Sequence, residues 1–285
     1  MIEHKVRAND GVYTFVTDWP AIGEETGPPV VCLHGLTRNH KDFRDIIVPL
    51  QQMGRRVVAL DVRGRGKSDR DPNPTNYNPF VYVQDLMAVM SELTVTRAVF
   101  IGTSMGGLMT MILASFAPHM IAGAVLNDIG PEIDPVGLKR IQGYVGVAMP
   151  QIRNWDEAGA RLGVMGATMF PNKDHAFWID FAQRNCIETP EGIIFDYDPA
   201  IAQIAGTPTE GPLPTMWEQF AAFKDIPTAV IRGALSDLLS ADIVSRMKQV
   251  KPDLITAEVP HVGHAPMLAE AEAWKAIVAV IRLTK

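Results

Sequence analysis

Along the first 130 residues, short apolar runs alternate with longer stretches in which apolar positions recur every three or four residues. The runs at 29–33 (PVVCL), 56–60, 98–102 and 121–126 predict buried strands, preceded by an opening hairpin over 4–10 and 12–17. The helical spacing predicts helices over 43–53, closing at Gly54, and over 82–93 and 105–116. Strands separated by helices of about ten residues imply crossover connections and a largely parallel sheet. That rhythm breaks between about Gly130 and Ile226, where nine prolines punctuate helical pieces near 138–147, 155–166, 173–186 and 216–223. Strand patterning returns at 228–232 and 255–259, and a final helix is expected over 270–283. The simplest arrangement is an α/β core formed by 1–130 and 227–285, with a mainly helical cap, 131–226, inserted between two strands of one sheet.

The run AVFIGTSMGGL, from Ala98 to Leu108, drives a strand through a sharp turn into a helix with Ser104 at the apex. Gly102 and Gly106 lack the Cβ atoms that would clash in so tight a turn, and the hydroxyl is left projecting from a helix N-terminus. With seven serines in the chain, about 0.05 chance matches to G-x-S-x-G are expected. The match therefore needs support from elsewhere before the serine reads as a nucleophile.

A hydroxyl attacks at neutral pH only when a base takes its proton, and imidazole has the suitable pKa. Where a nucleophile sits on such a turn, the base comes late, after the last strand. Pro260-His261-Val262-Gly263-His264-Ala265-Pro266 occupies that place. His264, which follows a glycine and runs into Pro266, a residue able to open the last helix, is preferred over His261. An acid must orient the imidazole. Asp237, in the loop after strand 228–232, is the first choice, because the acid usually comes from the later strand; Asp128, closing Leu126-Asn127-Asp128, is its competitor. Two backbone N–H groups would hold an oxyanion: Met105 beside the nucleophile, and Leu36 in the loop His34-Gly35-Leu36. His34 is expected to support that loop by hydrogen bonding.

Composition narrows the partners. A formal net charge of −6 without a basic cluster argues against nucleic acid and anionic membranes. The charged start MIEHKVRAND is unlike a secretory signal, and no run approaches the ~18 apolar residues that span a bilayer, so a cytoplasmic protein acting on a small molecule is expected. Cys32, in an apolar run, and Cys186, in a helical segment, read as separate free thiols without metal-site spacing.

Taken together, His34-Gly35 after a strand, Asp61-Val62-Arg63-Gly64-Arg65-Gly66-Lys67-Ser68, the Gly102–Gly106 turn, Ser236-Asp237 and Gly263-His264 resemble the α/β-hydrolase fold superfamily over nearly the whole chain. The resemblance implies a triad of Ser104, Asp237 and His264, no metal or organic cofactor, a structural role for Asp61 and Arg63, and a cap that selects the substrate. A serine at the nucleophile position departs from haloalkane dehalogenases and epoxide hydrolases, which carry aspartate there. Thr103 and Ala265 depart from carbon–carbon hydrolases of ring-cleavage products, and Leu36-Thr37 from haloperoxidases. Cleavage of a small ester, thioester or lactone is the expectation that survives; a carbon–carbon hydrolase or a noncatalytic binding module are the alternatives. A carbon–carbon hydrolase would hold a substrate carboxylate on a cap cation such as Arg140, Arg153, Arg161 or Arg184. Met149, Met165, Met169, Phe170, Trp178, Phe181 and Trp217 are candidates for an apolar pocket.

Overall fold

The computed structural model describes residues 1–147, 151–205 and 213–284. Its elements in chain order are β1 (Ile2–Arg7), β2 (Tyr13–Trp19), β3 (Val30–Leu33), α1 (Arg44–Gln52), β4 (Val57–Asp61), α2 (Pro79–Glu92), β5 (Ala98–Thr103), α3 (Met105–Phe116) and β6 (Ile121–Asn127). These are followed by α4 (Pro135–Tyr144), α5 (Trp155–Met165), α6 (His175–Asn185), β7 (Cys186–Thr189), β8 (Gly192–Phe195), α7 (Ala202–Ala205) and α8 (Trp217–Ala221). The chain closes with β9 (Thr228–Gly233), α9 (Ala241–Val250), β10 (Ile255–Val259) and α10 (Ala271–Leu283).

Eight strands form one sheet in the order β1-β2-β4-β3-β5-β6-β9-β10. β2 runs antiparallel to β1 and β4, and every other pairing is parallel. The continuous apolar runs follow from burial on both faces. Val31, Leu33, Val58, Leu60 and Phe100 pack on the face covered by α2 and α3, among Leu86 and Met109. Their neighbours Val30, Cys32, Val57, Ala59, Val99 and Ile101 pack on the other face, among Ile46 and Leu50 of α1 and Ile277 of α10.

Between β6 and β9 the helices α4, α5 and α6 form as expected, but they are joined by a hairpin that the helical pattern conceals. Cys186 pairs with Phe195 and Thr189 with Gly192, so Cys186 opens a strand rather than lying in a helix. α6 ends at Asn185 because Cys186 turns extended, with φ −124° and ψ 163°. The chain then clips onto the core turn after β4: the Gly66 N–H donates to the Asp196 carbonyl (3.0 Å) and the Asp198 N–H to the Gly64 carbonyl (2.7 Å). α9, capped by Ser240, is an added element. Pro266 does not open the last helix, which starts at Ala271. Met149, Pro150, Pro208 and Pro212 lie outside the described residues.

Arg63, buried under the turn after β4, is held by three carboxylates: Asp10 (2.7 Å), Asp85 (2.7 and 2.5 Å) and Asp71. A buried guanidinium is tolerated only when so paired. Cys32 and Cys186 are buried free thiols, and burial pushes both pKa values up, Cys186 to about 12. No helix among the described residues is long and apolar enough to cross a membrane.

Candidate active site

β5 delivers Ser104 to the carboxyl edge of the sheet, where α3 begins at the next residue. Its backbone adopts φ 51° and ψ −113°, a positive-φ conformation that residues with a side chain seldom take. The flanking glycines are sterically required. A Cβ on Gly102 would lie 2.5 Å from the Gly106 backbone, and one on Gly106 would lie 2.1 Å from the Leu33 carbonyl oxygen. The turn is thus pressed against β3, and the Ser104 hydroxyl is the group left facing outward.

The loop after β10 brings His264 to this hydroxyl, with Nε2 2.9 Å from Ser104 Oγ. His264 is buried and His261 is exposed. The loop is fixed from two sides: Gly263 N–H donates to the Met169 carbonyl (2.7 Å), and Asn127 Nδ2 donates to the Pro266 carbonyl (2.8 Å).

The carboxylate on the far side of the imidazole belongs to Asp128, whose Oδ2 lies 2.8 Å from His264 Nδ1. The expectation that Asp237 would stand there is corrected by this geometry. Asp128 follows the last residue of β6 with φ 54°. Its backbone N–H donates to the Ile231 carbonyl of β9 (2.7 Å). Oδ1 accepts from the Gly233 N–H (2.7 Å), while Oδ2 also accepts from the Ser236 hydroxyl (2.5 Å). In the loop after β9 it is therefore Ser236 that turns toward Asp128. Asp237 turns the other way because the first turn of α4 docks on it: Asp134 N–H donates to the Leu238 carbonyl and Gly137 N–H to the Asp237 carbonyl, both at 2.9 Å. Its carboxylate meets Arg140 of α4 in a fork of 2.6 and 2.8 Å. That hydrogen bonding holds the Asp237 carboxyl below the usual carboxylate range. Ser236 was not anticipated as the group holding the acid. The polar pair Asn127-Asp128 closing a wholly buried strand was the available signal for the acid itself.

The loop after β3 carries the second oxyanion candidate. His34 lies beneath it, fully buried, with Nε2 accepting from the Val62 N–H (2.9 Å) and Nδ1 donating to the Gly35 carbonyl (2.7 Å). The second bond fixes the peptide whose N–H belongs to Leu36. Burial pushes the His34 pKa from 6.5 down to about 4. The unfolded chain therefore takes up a proton below pH 6.5 that the folded chain refuses until about 4. The stabilisation is complete above pH 6.5 and lost as pH falls toward 4, by about 3 kcal/mol for a shift of this size. Chemical denaturation at pH 7.5 and 4.5 should show a steeper loss for the wild type than for His34→Gln, and parallel losses would remove this assignment.

A cavity of about 310 Å³ opens over Ser104 and His264. Most of its wall is apolar, and Met165, Met169, Phe170 and Phe181 line it, whereas Trp178 and Trp217 do not. Of the four arginines considered for a substrate carboxylate, Arg140 alone reaches the cavity. Arg153 and Arg161 are exposed, and Arg184 is buried against Asp45 (2.7 Å) and Asp180 (2.9 Å). Arg38, a cation not anticipated, also lines it, paired with Asp42 and stacked 4.2 Å over the Phe181 ring.

Comparison with known proteins bears on the family of the chain. Residues 28–149 match the family model for the alpha/beta hydrolase fold. A 3-hydroxybutyrate-oligomer hydrolase from Cupriavidus necator is 32% identical over 257 residues, covering 87% of this chain and 86% of that protein. A 2-(acetamidomethylene)succinate hydrolase from Mesorhizobium japonicum is 25% identical over 84% of this chain and 82% of its own length. The crystal structure of an alpha/beta hydrolase from Novosphingobium aromaticivorans superimposes with a TM-score of 0.92 at 38% identity, covering 99% of this chain and 98% of that one. The chain belongs to the α/β-hydrolase fold family and is a hydrolase of that fold.

Proposed function

We propose that this protein is a serine hydrolase cleaving a small carboxylic ester, thioester or lactone through an acyl-enzyme. The observation that carries the reading is the continuous relay from Ser104 Oγ through the His264 imidazole to Asp128, at 2.9 and 2.8 Å. Ser104 attacks the carbonyl carbon as His264 Nε2 takes its proton. Asp128 keeps the Nδ1 proton in place and balances the imidazolium. The N–H groups of Met105, at the head of α3, and Leu36 receive the oxyanion. His264 returns the proton to the leaving alcohol or thiol, and water repeats the sequence on the acyl-enzyme. Residues 131–226 act as a cap that closes the cavity over these groups.

Size and charge narrow the substrate. At about 310 Å³ the cavity is at the lower end of small-molecule sites. Both of its arginines already face aspartates, Arg38 against Asp42 and Arg140 against Asp237. The pocket thus suits a short, largely apolar acyl chain whose polar end comes near Arg140. The Cupriavidus relative is a hydrolase of 3-hydroxybutyrate oligomers, which are esters of a four-carbon acid.

Across p-nitrophenyl esters, kcat/KM is expected to be highest for acyl chains of about two to six carbons and to fall at least about tenfold by twelve. A fluorophosphonate probe should label Ser104. Absence of both turnover and labelling would remove the ester reading in favour of a binding module. Arg140 and Arg38 in the cavity wall favour cleavage inside a carboxylate-bearing substrate instead. Turnover of a ring-cleavage dienoate exceeding that of p-nitrophenyl acetate would select that reading.

A further inference from the structure

We propose that Arg65 is the positioning residue of the oxyanion site, fixing the Leu36 loop against the nucleophile turn and placing positive charge beneath the point where negative charge develops. The inference rests on the reading of Ser104 as nucleophile and names a group outside the relay. Arg65 is 1% exposed. Its Nε donates to the Leu36 carbonyl at 2.8 Å, and one terminal nitrogen donates to the Arg63 carbonyl (2.8 Å) and the Tyr82 hydroxyl (3.0 Å). The other terminal nitrogen lies 3.7 Å from the Met105 sulfur. One planar group thus touches both residues whose N–H groups receive the oxyanion. His34 fixes the peptide before Leu36 and Arg65 the peptide after it.

The charge environment separates Arg65 from Arg63 and Arg184, and only Arg55, buried far from the site and bonded to the Pro28, Ile281 and Thr284 carbonyls, shares it among the described residues. Buried Arg63 and Arg184 are each matched by two or more aspartates, but among the described residues no carboxylate pairs with Arg65. Its guanidinium is surrounded instead by carbonyls, a sulfur and the rings of Tyr82 (4.9 Å) and Tyr77 (5.7 Å). A buried cation without a counter-ion is costly to a fold. The same arrangement favours the one state of the reaction in which an anion forms nearby, since fixed charge in a dry site needs no reorganisation when that anion appears.

Arg65→Met is expected to lower kcat for p-nitrophenyl acetate by about 30- to 100-fold while KM moves less than about threefold. The rate of fluorophosphonate labelling and the affinity for an alkyl boronic acid, which binds the serine as a tetrahedral anion, should fall in parallel with kcat. Arg65→Lys, which keeps charge but loses the planar fork, should recover part of all three. A merely structural role would lower Tm and leave boronate affinity per folded molecule unchanged; that result, or all three readouts within threefold of wild type, overturns the proposal. If Arg65→Met does not fold, Arg65→Lys and Tyr82→Phe decide it. A parallel loss of about three- to tenfold in kcat and boronate affinity supports the role, and unchanged boronate affinity overturns it. Failure of the wild type to label at Ser104 would instead defeat the nucleophile reading.

Discussion

Replacing Ser104 by alanine is expected to lower kcat on a short p-nitrophenyl ester by about four to six orders of magnitude, because the proposed acyl-enzyme forms on this hydroxyl. The hydroxyl makes one side-chain hydrogen bond, to His264 Nε2, so little of the fold depends on it. The turn is held by backbone contacts instead: the Ser104 N–H donates to the Asn127 carbonyl, and its own carbonyl accepts from Gly107 and Leu108. Tm should therefore stay within a few degrees of the wild type, which separates chemistry from unfolding. Residual activity would come from the oxyanion donors and binding alone. Ser104→Ala retaining a tenth of the parent activity would show that the reaction does not pass through this residue.

The second large effect distinguishes two aspartates. Asp128→Asn should cost about four orders of magnitude in kcat, since an amide in place of the carboxylate offers the imidazole the wrong partner and sets the wrong tautomer. Here the requirement is strict, because Asp128 is completely buried and its Oδ2 serves both His264 and Ser236. Asp237→Asn removes the partner of Arg140 and a charge that interacts with His264 without touching it, and kcat should stay within about tenfold. KM for esters with a carboxylate at the acyl end should fall as Arg140 is released. Parallel kcat measurements on the two variants check the assignment. A large loss at Asp237 with a mild one at Asp128 would return the acid to the loop after β9.

The sheet was legible because β3, β4, β5 and β6 are buried on both faces, which leaves uninterrupted apolar runs in the sequence. The nucleophile turn was legible for a related reason: its two glycines answer contacts of 2.5 and 2.1 Å that exclude any side chain. The hairpin of β7 and β8 was not, since its four-residue strands show no regular alternation of buried and exposed positions and flank Pro190. α9 buries only Ile243 and Met247 and so shows a thin apolar stripe. The choice between Asp128 and Asp237 depends on which way a single loop residue faces, and that is set by the docking of α4. Arg65 was hidden within a turn motif whose composition suggests only structure, because its role comes from contacts with Leu36 and Met105, residues 29 and 40 positions away.

The placement of Asp128 at the end of β6 also bears on how this scaffold could be altered. β5 and β6 are adjacent strands at the centre of the sheet, so nucleophile and acid are fixed by the same pairing, Thr103 against Asn127, one residue before each. The Gly233 amide at the end of β9 and the Ser236 hydroxyl hold the acid, and the Leu235 N–H holds the Val262 carbonyl of the histidine loop, while the next residue, Asp237, is committed to Arg140 of α4. The partner of the acid and the partner of the cavity arginine are thereby neighbours across a single peptide bond. Grafts that exchange α4 but keep 233–239, whose Leu238 and Leu239 N–H groups hold the Ser236 hydroxyl, can retune what is admitted while leaving the acid's partners in place.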